Sequence, residues 1–228
     1  MDKIKSLFIS DTHIGVKYNN TKKLLDILES YDFKNLFLVG DIIDMTAMKH
    51  GVFWKKHYGQ LIKKLIKLSE TTNIIYITGN HDFYLREFTP FEFSSCKIVD
   101  EYIYGDTLVI HGDKFDTLIS KRKYLYMFGD YGYNLVIRLD RIFNFEGGLS
   151  KRAKKIAKRA SNYFNDFYKT AEKYTILKKC KRIICGHIHI QEYRPMAVEY
   201  YNCGDFRESS TYIIENLDGT FELKEKYG

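Results

Sequence analysis

Asn35-Leu36-Phe37-Leu38-Val39-Gly40-Asp41-Ile42-Ile43-Asp44 decides the fold: five residues of apolar strand character, a glycine, then two acids three apart. A short apolar run closed by a turn signal fits a strand buried on both faces. Gly40 permits a tight turn there, so Asp41 arrives at the carboxyl edge of the sheet that the strand joins. The pattern recurs on both sides. Residues 4–10 form a similar run ended by Asp11-Thr12-His13, and residues 73–78 form a third, ended by Gly79-Asn80-His81-Asp82. Between the runs lie helical patterns, one opened by Thr21 with Leu24, Leu25, Ile27 and Leu28 on one side, the other over residues 53–68. A β-α-β-α-β order with right-handed crossovers predicts an α/β layered fold.

A further strand over 107–110 ends at His111-Gly112-Asp113, and another over 182–185 ends at Gly186-His187-Ile188-His189. Strand character continues over 197–202, 212–215 and 221–225. Residues 114–180 read as helical throughout. The expected organisation is a core of residues 1–113 and 181–228, interrupted by a helical cap, 114–180. A chain of 228 residues, 45% hydrophobic and 16% aromatic, suits one such domain with an insertion and excludes a disordered chain. No apolar run approaches the ~18 residues that span a bilayer, and no signal segment follows Met1, so the expected location is the cytoplasm. Cys96, Cys180, Cys185 and Cys203 contain no CxxC pair and read as buried thiols.

The net charge of +7 is concentrated in the insertion. Residues 114–180 hold sixteen Lys and Arg against six Asp and Glu, a net of +10, and leave a net of −3 elsewhere. The densest part is the run from Lys151 to Arg159, on a stretch with helical composition. A solvated helical face, nucleic acid, an anionic membrane and a phosphorylated ligand all fit that charge.

The chemistry lies in the five strand-end motifs. Asp11 and His13, two apart in an extended segment, point to one side and grip one ion. Asp41 arrives at the same edge, where its carboxylate bridges two. Five of the seven histidines fall in these motifs, beside carboxylates or an amide and without Cys. That mixture suits Mn²⁺, Fe²⁺ or Zn²⁺ in an open catalytic site, whereas a structural zinc site uses thiolates. His50 and His57 have no such spacing and read as structural.

In the order D-x-H, G-D-x-x-D, G-N-H-D, H and G-H-x-H, the motifs resemble the calcineurin-like metallophosphoesterase superfamily. The resemblance implies an α/β fold of the four-layer kind, an α+β β-sandwich flanked by helices, with a helical cap insertion. It also implies two divalent ions, most typically Mn²⁺, one held by Asp11, His13, Asp41 and His189, the other by Asp41, Asn80, His111 and His187. Asp44 and Asp82 match positions that orient ligands and His81, and His81 matches a position that acts in catalysis. A narrower resemblance to the UDP-2,3-diacylglucosamine hydrolase group rests on residues 38–44, 109–116 and 184–189, and on Tyr201-Asn202-Cys203-Gly204-Asp205-Phe206-Arg207-Glu208-Ser209. Where those hydrolases resemble GNRDF, this chain has Asn80-His81-Asp82-Phe83, the wider superfamily's version.

The group implies cleavage of a nucleotide-linked glycolipid of the lipid A precursor pathway to UMP and a lipid monophosphate. A cap holds the acyl chains, here with Tyr124, Leu125 and Phe128, and its bases draw the protein to the inner face of an anionic membrane as a peripheral partner. Packing against the core is the competing use of those aromatics. The alternatives are another phosphodiesterase or nuclease of the superfamily, and a scaffold without catalysis. Intact ligand positions count against the scaffold, and the absence of a basic tail or nucleic-acid module counts against nucleic acid as partner.

Overall fold

A computed structural model of the chain describes residues 1–16, 20–48, 55–119 and 148–226, with side chains left undescribed at 117–119 and 148–160. The chain divides into two compact units, Met1–Asp113 with Thr175–Gly228, and Lys114–Tyr174.

In the first unit, β1 (Asp2–Lys3) and β3 (Tyr31–Asp32) form a small pair. The three apolar runs become β2 (Ser6–Ile9), β4 (Asn35–Val39) and β5 (Asn73–Ile77), parallel neighbours in the middle of a seven-stranded sheet. On one side the sheet continues through β7 (Cys96–Val99) to β6 (Phe91–Phe93), on the other through β13 (Thr211–Glu215) to β14 (Phe221–Glu225). A second, five-stranded sheet has β10 (Arg182–Cys185) at its centre, flanked by β9 (Thr107–Ile110) and β12 (Glu199–Cys203), both parallel to it. β8 (Glu101–Tyr104) and β11 (Gln191–Pro195) form its edges.

Both faces of the first sheet are buried at its central strands β2, β4 and β5, which is why these read as continuous apolar runs. Leu7, Ile9, Leu36, Leu38, Ile74 and Tyr76 pack with Leu24, Ile27 and Leu28 of α1 (Thr21–Ser30) and with Tyr58 and Leu61 of α3 (Lys56–Leu68). The alternate residues Phe8, Phe37, Val39, Ile75 and Ile77 meet Val109, Ile184, Tyr201 and Cys203 of the second sheet. Phe8 and Phe37 stack there with ring centroids 4.5 Å apart. Each such ring contributes about 1.5–3 kcal/mol of burial. The unit is thus helices on one sheet and that sheet on another. A short helix, α2 (Met45–Met48), follows Asp44.

The second unit draws on α4 (Asp113–Ile119) and on α5 (Gly148–Leu177), which includes the basic run. Phe115 lies between Phe167 and Tyr174, with centroids 5.5 and 5.7 Å away, and Lys114 Nζ donates to Tyr174 Oη at 2.8 Å. Tyr124, Leu125 and Phe128 lie outside the described residues, as does His50. His57 is half-buried and meets the ring of Tyr58 edge-on, a structural placement. Cys180, Cys185 and Cys203 are buried free thiols, while Cys96, expected to be buried, is half-exposed on the strand next to the sheet edge. Among the described residues, no helix is long and apolar enough to cross a membrane.

Candidate metal centre

Strand ends from two sheets converge on one place. Asp11 and His13 follow β2, Asp41 and Asp44 follow β4, and Asn80, His81 and Asp82 follow β5 in the seven-stranded sheet, while His111 follows β9 and His187 and His189 follow β10 in the other. The gathering needs two stacked sheets, as the expected β-sandwich provides.

The local backbone differs from expectation. Asp11 and His13 are not extended: their φ values are 52° and 44°, and Asp41, His187 and His189 are left-handed as well, at 53°, 72° and 56°. Non-glycine residues bear about 1–2 kcal/mol each in this region, a strain characteristic of functional sites. Main-chain bonds between the loops hold them there. Asp11 N donates to Gly40 O at 3.1 Å, His13 N to Asp41 O at 3.0 Å, and Gly186 N to His111 O at 3.0 Å.

Side chains then close around one another. Asp41 Oδ2 lies 3.4 Å from His111 Nε2, 3.9 Å from His81 Nε2 and 4.0 Å from His13 Nε2, and its Oδ1 accepts from His81 N at 2.7 Å. Asp11 Oδ1 lies 3.2 Å from His189 Nε2 and 3.9 Å from His13 Nε2, and its Oδ2 accepts from His187 N at 3.1 Å. Three groups have ligand atoms close enough to share an ion: Asp11 with His13 and His189, His13 with Asp41 and His81, and Asp11 with Asp41 and His111. Burial raises the affinity of Asp41 for a proton, but His111, His13 and His81 more than reverse this and hold the carboxyl well below its usual range. The same pairing pushes His111 well above the ordinary imidazole value against its burial. Burial and the neighbouring His111 lower His187 to about 4.

A cation fits this donor set. Asp11 Oδ1, Asn80 Oδ1 and His111 Nε2 are buried without a hydrogen-bond partner in the protein. Each such atom costs about 1–3 kcal/mol if left unsatisfied, and a bound ion removes that cost. The ring centroid of His187 lies 5.1 Å from that of His111, whereas His13 and His189 lie together at 5.5 Å on the Asp11 side.

The supporting acids separate into two kinds. Asp44 accepts from His13 Nδ1 at 3.1 Å and from Ala47 N at 2.7 Å, which turns the other nitrogen of His13 inward. Its Oδ2 also lies 3.1 Å from His81 Nδ1, an ion-pair contact without hydrogen-bond alignment. Asp82 points away from the cluster. Its carboxylate takes hydrogen bonds from Ile42 N at 3.0 Å, Tyr76 Oη at 2.6 Å and Gly79 N, so it braces the loops that carry Asp41 and His81.

Several supporting residues were not expected. Asn202 Nδ2 donates to Gly186 O at 2.7 Å and its Oδ1 accepts from Gly204 N at 2.9 Å; Ser10 Oγ donates to Gly204 O, and Phe206 N to Asp11 O. The run 201–209 therefore backs both the Asp11 and the His187 loops. Arg86 pairs with Asp113 at 3.0 Å and donates to Thr78 O. An arginine within an aromatic segment carries no sequence signal for that role.

Gly79 shows how tightly the site is packed. A Cβ there would overlap Asp41 Oδ1 and come within 2.5 Å of Asp41 N. Gly79→Ala is expected to weaken metal binding at least about tenfold while costing about 1–3 kcal/mol of stability. Metal titration and thermal unfolding of the same variant separate the two effects, and unchanged metal affinity would show that the Asp41 loop yields freely.

No curated protein matches the chain. Among solved structures, a Vps29 mutant from Entamoeba histolytica is 10% identical over 97% of each chain with a TM-score of 0.45. Vps29 from Cryptosporidium parvum is 12% identical over 97% of this chain and 95% of its own, at 0.44. Nuclease MPE from Pseudomonas putida is 19% identical over 46% of this chain and 53% of its own, at 0.34. At these TM-scores the likenesses support no functional conclusion. The sequence profile is more decisive: the calcineurin-like phosphoesterase profile matches residues 4–191, from just before β2 to just past His189, and the chain belongs to that family.

Proposed function

We propose that the chain hydrolyses a phosphodiester or pyrophosphate with two divalent ions, Mn²⁺ first and Fe²⁺ or Zn²⁺ as alternatives, and that its substrate is a UDP-2,3-diacylglucosamine-like glycolipid cleaved to UMP and a lipid monophosphate. The observation that carries the hydrolase reading is the buried cluster around Asp41, whose unsatisfied donor atoms face one another across two stacked sheets. Asp11, His13, Asp41 and His189 are assigned to one ion and Asp41, Asn80, His111 and His187 to the other. When bound, such ions supply Lewis acidity and a water acidic enough to attack phosphorus at neutral pH.

The chain's own residues supply the rest. Asp44 fixes the ring of His13, Asp82 and Asn202 fix the loops, and the strained turns hold the ligands before any ion arrives. His81 is 27% exposed, more than His13 and His111 at 3% or less and less than His189 at 40%. That position suits a proton donor to the leaving group or a partner for charge on the phosphoryl oxygens.

The glycolipid reading is supported by residues 201–209, whose resemblance to the diacylglucosamine group coincides with a structural role behind the site. Turnover of an acylated UDP-glucosamine against a small soluble phosphodiester, with Mn²⁺ present, tests it. Replacing Leu125 and Phe128 with polar residues is expected to reduce glycolipid cleavage at least about tenfold and to spare the soluble substrate, because only the lipid loses apolar burial. Equal losses on both substrates remove the lipid from the proposal, and salt-dependent cleavage of DNA replaces it with a nuclease.

A further inference from the structure

The helix-side apolar face of the seven-stranded sheet continues one strand beyond its helical cover. Among the described residues β6 pairs only with β7, Phe91 opposite Ile98 and Phe93 opposite Cys96. Ile98 and Cys96 pack against the helix-side core. Directly opposed residues share a face, so Phe91 and Phe93 project on that side, 49% and 67% exposed. Phe88, at the end of the short 3-10 helix Phe83–Phe88, is 69% exposed. Glu92, the strand's acid, lies on the opposite face, 2.9 Å from Lys97. An exposed cluster of large apolar rings marks an interaction surface rather than an ordinary solvent face.

The C-terminal end of α3 borders this edge: Ser94 Oγ, in the β6–β7 turn, donates at 3.1 Å to Ser69 O, one residue past the helix. α3 carries Lys56, Lys63, Lys64 and Lys67 and no acid, and it leaves Ile62 and Ile66 37% and 59% exposed. Glu70, Glu87 and Glu92 are the acids nearest in sequence, three against four lysines, and Glu92 is on the opposite face. Apolar side chains interleaved with lysines match the interface of an anionic bilayer, where rings enter the acyl boundary and ammonium groups stay among phosphates. A second copy of the chain fits poorly, because a symmetric contact sets the same basic helix against itself.

We propose that the β6 edge and the exposed residues of α3 dock the protein on an anionic lipid bilayer, with Phe88, Phe91 and Phe93 entering at headgroup level. The proposal draws its purpose from the lipid-substrate reading, since the 3-10 helix starts two residues after His81, but its test is independent of catalysis.

The full chain is to be sedimented with vesicles of phosphatidylglycerol and phosphatidylethanolamine, and separately with pure phosphatidylcholine. Binding is expected to the first alone and to weaken with salt. The combined variant Phe88→Ser, Phe91→Ser, Phe93→Ser is expected to bind at least about tenfold more weakly, and Lys63→Glu with Lys67→Glu about fivefold or more per charge. Both keep hydrolysis of a soluble phosphodiester unchanged, because the altered side chains are exposed and outside the metal centre. Undiminished binding by the phenylalanine variant, or wild-type binding that does not prefer anionic vesicles, overturns the proposal. So does a wild-type dimer that the phenylalanine variant dissolves, which would assign the face to a second copy. A wild type that binds vesicles yet hydrolyses nothing defeats the hydrolase reading alone.

Discussion

Replacing Asp41 with alanine is expected to reduce turnover by at least about three orders of magnitude and to remove both bound ions. The Asp41 carboxylate meets three of the cluster's histidines. Its Oδ2 lies within 4.0 Å of His111, His81 and His13, and its Oδ1 takes the His81 N–H. The backbone is held left-handed by the turn after Gly40, so the carboxylate is aimed before metal arrives. Removing it leaves His111 without the carboxylate it lies closest to and the half-buried His81 N–H without an acceptor, at a cost of about 1–3 kcal/mol for the latter. The sheets, built from residues on either side of this turn, should survive. Metal content by atomic spectroscopy, circular dichroism and phosphodiester turnover on one preparation check the result. Near-normal turnover by Asp41→Ala, or by metal-depleted wild type, would end the two-ion proposal.

His81→Ala is expected to lower kcat by about 10²–10⁴ with close to two equivalents of metal retained. The residue stands where the two possible roles meet. Its Nε2 is near enough to Asp41 to share an ion with His13, and its Nδ1 lies 3.1 Å from Asp44. Yet it is more exposed than His13 or His111, and its backbone N–H already fixes Asp41. Burial lowers its pKa, but Asp44 and Asp41 outweigh this and raise it above the ordinary value. A drop in kcat at saturating substrate with unchanged metal stoichiometry supports the catalytic role. Loss of one equivalent of metal assigns His81 to the ligand set instead.

The sequence was most legible where one physical cause acted alone. β4 and β9 are apolar runs stopped by glycine or histidine turns, and their limits in the structure match the pattern without adjustment. The candidate site residues were legible for a similar reason: each sits one to five residues beyond a strand end, so locating the strand locates the side chain. Short strands at the sheet margins were not. β7 and β8 are half-buried with weak alternation, and β11 has an exposed middle and end, so neither periodicity nor burial marks them locally. They exist because a neighbouring strand offers unpaired main-chain groups.

Sequence alone thus determined the parallel strand order of the core, the five motifs at its carboxyl edge and the donor chemistry they bring. Tertiary structure decided the rest. The stacking of two sheets through Phe8, Phe37, Val109 and Ile184 is a long-range packing event with no local code, and it brings His111, His187 and His189 to Asp11 and Asp41. The left-handed turns at Asp11, His13 and Asp41 are likewise set by bonds between loops far apart in sequence; local preference would have made them extended. The role of Asn202 follows the same rule: a buried amide is read from what it bonds, and its partners Gly186 and Gly204 meet only after β10 and β12 have paired.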